Sequence, residues 1–216
     1  MTIAPLAELL NYTQEHAGPA ASKQTDFVAA YFENTDPDEI ATRGPATLFA
    51  IANAHWRLLD TPHVAQSAKV RVFNPTLAED GFVSDHTVVQ IVHDNMPFLV
   101  DSVTMAINRG NRTAHWIVHP LMSVARDPQG KITSVSSVAA ATSAGQKNPV
   151  ESLILVECDR IVEASGQQAL AQELSQVLAD VRSTVQDWRA ILDRVEAVGL
   201  AAEKSSLSAA SRQEGI

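Results

Sequence analysis

The chain has 216 residues, 45% of them hydrophobic, enough to bury one good core or two small ones. Sixteen Lys and Arg against 25 Asp and Glu leave a net charge of −9 with no basic cluster. That balance argues against nucleic acid and against an anionic membrane surface as partners.

The first sixty residues read as short helices. Met1-Thr2-Ile3-Ala4-Pro5 carries no basic region followed by a long apolar run, so no secretory leader is expected. One helix is expected over 3–16, stopped by Gly18-Pro19. A second opens at Ser22 or Thr25 and carries Phe27, Val28, Tyr31 and Phe32. Asp36-Pro37-Asp38-Glu39 reads as a cap, a proline at the first helical position and an acidic first turn. Gly44-Pro45 precedes a helix over 46–59, and Pro62 follows it.

The middle changes period. Lys69-Val70-Arg71-Val72-Phe73 alternates like a half-buried strand. Residues 86–93 are rich in β-branched side chains and read as a strand ending at His93. Asp94 or Asn95 is expected to cap the helix that follows, with Pro97 at its first position. Leu99, Val103, Ala106 and Ile107 recur at helical spacing, and Gly110 suits the exit. Residues 113–124 read as one long strand. Asp127-Pro128-Gln129-Gly130 is a turn, and 132–138 the returning strand of that hairpin. The small, polar stretch 136–149 reads as a loop, and 152–159 as another strand.

A long helix is expected over 167–198. Leu174, Leu178, Val181, Val185, Trp188, Leu192 and Val195 recur at steps of four and three, a heptad-like stripe. Such a helix either packs on its own sheet or projects its far half toward another subunit or domain. A flexible tail is expected over 201–216.

Chemistry is sparse. The sequence holds no G-x-G-x-x-G, G-x-x-x-x-G-K-[ST], G-x-S-x-G or H-E-x-x-H. Cys158 is the only cysteine, so no internal disulfide can form, which fits a reducing cytoplasm. It reads as a small buried hydrophobe. His115 and His119 lie on a strand, where four residues span about 13 Å, too far to share one metal ion. No stretch approaches the roughly 20 apolar residues of a membrane span. The strand–helix turn is the most informative feature, because backbone N–H groups and a positive helix end suit a small anion such as an amino-acid carboxylate. The candidate ligand-binding residues are His93, Asp94, Asn95, Met96, Pro97, Phe98 and Asp101. His93 is otherwise an ordinary strand-end histidine, and Asp94 and Asn95 ordinary caps. The candidate interface residues are Val181, Val185, Trp188 and Leu192.

Asp94-Asn95-Met96-Pro97-Phe98-Leu99-Val100-Asp101-Ser102-Val103 and Ile117-Val118-His119-Pro120 carry a family resemblance. Ala54-His55-Trp56-Arg57-Leu58, Glu151-Ser152-Leu153-Ile154 and residues 180–188 support it. Over residues 31–194 the chain resembles the N-terminal region of the large bacterial NAD-dependent glutamate dehydrogenases. The resemblance implies the front end of a longer polypeptide, with the dinucleotide site and catalytic lysine far downstream. It implies no cofactor in this segment and NAD in the parent enzyme. The remaining domains of the parent chain, further copies in a homo-oligomer and an amino-acid effector would be its partners.

The front end resembles ACT-like domains, which implies an α+β fold. A helical segment (1–62) would precede an ACT-like, ferredoxin-like antiparallel sheet with helices on one face (63–164). A long amphipathic helix (165–200) would complete it. Two departures stand out. ACT domains that bind amino acids usually place glycine just after the proline of the turn. Here that residue is Phe98, whose bulk is expected to fill the pocket. No strand follows the long helix, so 70–73 or 153–157 must fill the last sheet position. The expected role is regulation or assembly, either by sensing an amino acid or by structure alone.

Overall fold

Helices α1 (Ala4–His16), α2 (Ala21–Tyr31), α3 (Pro37–Arg43) and α4 (Pro45–Leu59) lead the chain in the computed structural model, which describes residues 4–62 and 67–203. Gly18–Ala20 form a tight turn between α1 and α2. The Asp36 carboxylate accepts the Asp38 amide at 2.8 Å, and Pro37 takes the first helical position, as its sequence predicts. Gly44, at φ 74°, then turns the chain into α4.

Strands β1 (Lys69–Phe73) and β2 (Thr87–Asp94) come next, followed by helix α5 (Leu99–Arg109). Strands β3 (Ala114–Val118), β4 (Leu121–Arg126) and β5 (Ile132–Ser137) follow, then the short helix α6 (Val138–Ser143). Strand β6 (Val150–Cys158) and the 40-residue helix α7 (Ala164–Glu203) complete the described chain. All strand pairs are antiparallel, in the order β1-β2-β6-β4-β5, with β3 also on β6.

Two expectations change, and one open alternative is decided for residues 70–73. The strand read over 113–124 is two, because Pro120 has no amide to donate. Both halves still pair with β6, and the Pro120 carbonyl accepts the Leu153 amide at 3.1 Å. The 136–149 stretch contains α6, capped by Ser137 Oγ on the Ala140 amide, so it is not all loop. Residues 153–157 lie in the centre of the sheet as β6, and β1 fills the edge beside β2. That edge is where a strand following α7 would sit in a β-α-β-β-α-β order, so a strand from before the motif completes its sheet.

Both faces of β2 and β6 are covered, by different partners. Val88, Val92, Leu153 and Leu155 join Phe27, Tyr31, Leu48 and Ile51 of the helical lead. Val89, Ile91, Ile154 and Val156 face Leu99, Val103 and Ile107 of α5 and Leu170, Leu174 and Leu178 of α7. Strand alternation therefore feeds two cores, and near-continuous apolar runs are the result.

Polar groups lock the lead onto the sheet. His55 is fully buried, donates from Nε2 to the Ile91 carbonyl at 3.1 Å and accepts the Tyr31 hydroxyl at Nδ1, 2.7 Å away. Burial holds its pKa down at about 3, so it is neutral. Arg43 pairs bidentately with Glu157 at 2.9 and 3.1 Å and lies 3.6 Å over the Trp116 ring. The Trp116 indole donates to Glu39 at 2.7 Å. At the C-terminus of α4, Lys69 donates to the carbonyls of Leu58, Leu59 and Thr61, and Arg126 to that of Leu59. Burial is the main reason the Lys69 amine falls to about 8.

The stripe of α7 is buried at its near end and exposed at its far end. Leu170, Leu174 and Leu178 are buried under the sheet. Trp188, Leu192 and Val195 of the same stripe are 59%, 47% and 63% exposed, because the helix has by then left the domain. Residues 201–203 continue the helix, while the rest of the expected tail, 204–216, lies outside the described residues, as does Ile3.

Candidate functional site

The end of β2 is tied to α7 before the turn begins. The Asn95 amide donates to the Val150 carbonyl at 2.9 Å and so extends the ladder one residue past Asp94. His93 is 1% exposed. Its Nε2 lies 2.8 Å from Nη2 of Arg182, and its Nδ1 lies 2.7 Å from the Asp94 carbonyl. A guanidinium can only donate, so Nε2 is the acceptor and Nδ1 carries the proton. The same Arg182 nitrogen lies 3.8 Å from the Asp94 carboxylate. Arg182 is the residue sequence reasoning missed. The signal was there, since it interrupts the quoted segment 180–188 next to the apolar stripe.

The helix starts later than its caps suggested. Neither Asp94 nor Asn95 caps it, and Pro97 is not its first residue. The N-cap is Phe98, at φ 69° and ψ 7°, with no side-chain cap hydrogen bond. Those angles belong to the third position of a type II turn, where glycine is usual, with proline favoured just before it. Phe98 thus holds a backbone conformation that glycine usually takes. Its side chain does not fill a pocket, because it is 65% exposed. A φ above zero on a bulky residue is uncommon and costs on the order of 1–2 kcal/mol.

Phe98 lines a groove of about 470 Å³ between α5 and α7. Phe98, Asp101, Ser102, Met105 and Arg109 form one wall, and Val177, Asp180, Val181 and Thr184 the other. Of the seven expected ligand residues, the groove collects Phe98 and Asp101. His93 and Asp94 serve the tie to Arg182. Met96 packs against the core beneath α5 and α7, and Asn95 and Pro97 are exposed outside the groove walls. Of the expected interface residues, Val181 walls the groove, Val185 is partly buried, and Trp188 and Leu192 are exposed.

The two histidines of β3 and its exit have separate partners. His115 Nε2 meets Asp159 Oδ1 at 2.6 Å, a contact that holds that carboxyl below its ordinary range. His119 Nε2 meets Ser152 Oγ at 2.7 Å, and burial lowers its pKa. Among the described residues no cluster of three or more His, Cys, Asp or Glu is placed to hold a metal ion. Burial pushes the Cys158 thiol up to about 11, so it is a poor nucleophile. No helix among the described residues is long and apolar enough to cross a membrane.

Comparison with known proteins adds the family. Residues 27–174 match the family described as the glutamate dehydrogenase ACT1 domain. The NAD-specific glutamate dehydrogenase of Pseudomonas aeruginosa is 34% identical over 175 residues, 81% of this chain and 11% of that protein. The enzyme of the same name from Halomonas elongata is 30% identical over 184 residues, 82% of this chain and 11% of that protein. The chain therefore spans about a tenth of the length of these relatives. The match covers the sheet, α5 and the start of α7, and on that basis the chain belongs to the glutamate dehydrogenase ACT1-domain family.

Proposed function

We propose that this chain is a non-catalytic regulatory and assembly module of an NAD-dependent glutamate dehydrogenase. The parent reaction would convert L-glutamate, NAD and water to 2-oxoglutarate, ammonium and NADH in the cytoplasm. NAD would bind elsewhere in the polypeptide. The observation that carries the assembly role is α7, whose apolar stripe is buried to Leu178 and then exposed from Trp188 onward. A stripe of that length on an otherwise solvated helix marks a contact surface. The test uses the full-length enzyme carrying Val185→Glu with Leu192→Glu. Its sedimentation should shift to smaller species while the kcat of the surviving dehydrogenase stays within about twofold. Unchanged sedimentation would refute the assembly role.

Amino-acid sensing is the second reading, and Phe98 favours it. A strained residue that exposes its ring in the wall of a groove also lined by Asp101 is a feature that binding can use. An effector there would be sensed by α7 through the groove wall and the Arg182 tie. Calorimetry with the twenty amino acids, on the wild type and Asp101→Asn, tests it. One amino acid should bind the wild type and bind the variant at least tenfold more weakly. Equal affinity in both would remove Asp101 from the site.

A further inference from the structure

We propose that α7 pairs antiparallel with α7 of a second copy of this chain, about a two-fold axis level with Gln186. The proposal rests on the assembly reading above and gives it a partner and a register. At 100° per residue, the groove-wall residues Val177, Val181 and Thr184 share one helix face with Trp188, Ile191 and Val195. The groove and the exposed stripe are therefore one continuous surface about 27 Å long. Its proximal half has a second wall, supplied by α5. Its distal half has none among the described residues.

An antiparallel copy supplies the missing wall. With the axis at Gln186, Thr184 comes level with Trp188 of the second copy, Val181 with Ile191 and Val177 with Val195. Each distal knob then enters the other copy's α5–α7 groove, and the match is reciprocal, as a two-fold interface requires. Arg194 of the second copy arrives within about 3 Å along the axis of Asp180, with Asp101 on the facing wall. The acidic edge of the groove thus meets a cation. A parallel pair would leave both grooves empty.

The area fits as well. Phe98, Met105, Trp188, Ile191, Val195 and Val198 are each 53–65% exposed. Together they offer roughly 700 Å² per copy, close to the ~800 Å² per partner of a standard stable interface.

The test labels single added cysteines at Gln172 and Gln186 with nitroxides, since Cys158 is buried and unreactive. Sedimentation of the 216-residue chain should show a dimer, and Trp188→Glu should weaken it ~30-fold or more. Electron–electron distance measurements should place the Gln186 labels level and the Gln172 labels about 42 Å apart along the axis. Arg194→Glu should weaken the dimer, and adding Asp180→Arg should restore it. A dimer with equal distances at both positions would be parallel and would overturn the register. A chain that stays monomeric at hundreds of micromolar would overturn the second-copy partner. In either case the full-length sedimentation experiment decides separately whether α7 assembles the enzyme.

Discussion

Phe98 sets a residue-scale contest between side chain and backbone. Its ring is largely solvated, so its removal gives up little burial, while its φ of 69° is costly for any residue with a Cβ. Phe98→Gly should therefore be more stable than Phe98→Ala by about 1 kcal/mol in urea unfolding of the monomer. At an ordinary helix position the order is the reverse, because glycine is the more flexible when unfolded. Alanine above glycine would mean that the turn is not left-handed at Phe98. His55 makes a second contest, between burial and charge. Its folded pKa of about 3 lies below the ~6.5 of an unfolded histidine, so the unfolded chain binds the proton first. The contribution is complete above pH 6.5 and is lost as the pH falls toward 3. Between pH 7.5 and 5.5 it should amount to about 1.4 kcal/mol, taken as the difference between the pH responses of wild type and His55→Gln. Equal pH responses would show that His55 accepts a proton without unfolding. His119, lowered by burial, acts in the same direction and stays in both proteins, so the difference cancels it.

One apolar stripe along an element has opposite consequences at its two ends. Leu174 is fully buried beneath the sheet, so Leu174→Ala should cost about 2–5 kcal/mol. Leu192 lies beyond the domain, 47% exposed, and Leu192→Ala should leave the unfolding midpoint of the dilute monomer within about 0.5 kcal/mol of wild type. Equal costs at the two positions would mean that α7 folds back on the domain in solution. The stripe itself was legible from its steps of four and three. Where it leaves the core was not, because spacing along a helix carries no information about how far the sheet beneath it extends. The turn before α5 was misjudged for a local reason. Asp94, Asn95 and Pro97 each suit a helix start, but the Asn95 amide is taken by the Val150 carbonyl and the Asp94 carboxylate faces Arg182. Sheet pairing and a tertiary ion pair outweighed the capping propensities. Pro120, by contrast, was legible in the sequence, since a proline inside a β-rich run removes one ladder amide and splits it.

At the scale of the whole molecule, the legible part was the alternation of period: helices, then strands around one helix, then a long helix. The illegible part was that β1 precedes the motif whose sheet it completes, because strand order depends on long-range pairing. That arrangement makes β2 and β6 the hub, held between the core under α1, α2 and α4 and the core under α5 and α7. Amides of residues 88–92 and 153–157 have neighbours on both edges and side chains packed on both faces. They should exchange with solvent only through global unfolding, with protection equal to the full stability of the chain. Amides of residues 188–200 belong to a helix stretch with no packing partner among the described residues of the monomer. They should exchange orders of magnitude faster in dilute solution and slow as concentration rises, in step with association. Hydrogen exchange at two concentrations reads both. Protection of the distal helix that is high and independent of concentration would mean its apolar face is already covered within one chain, and the molecule would then be a closed unit and not one half of an interface.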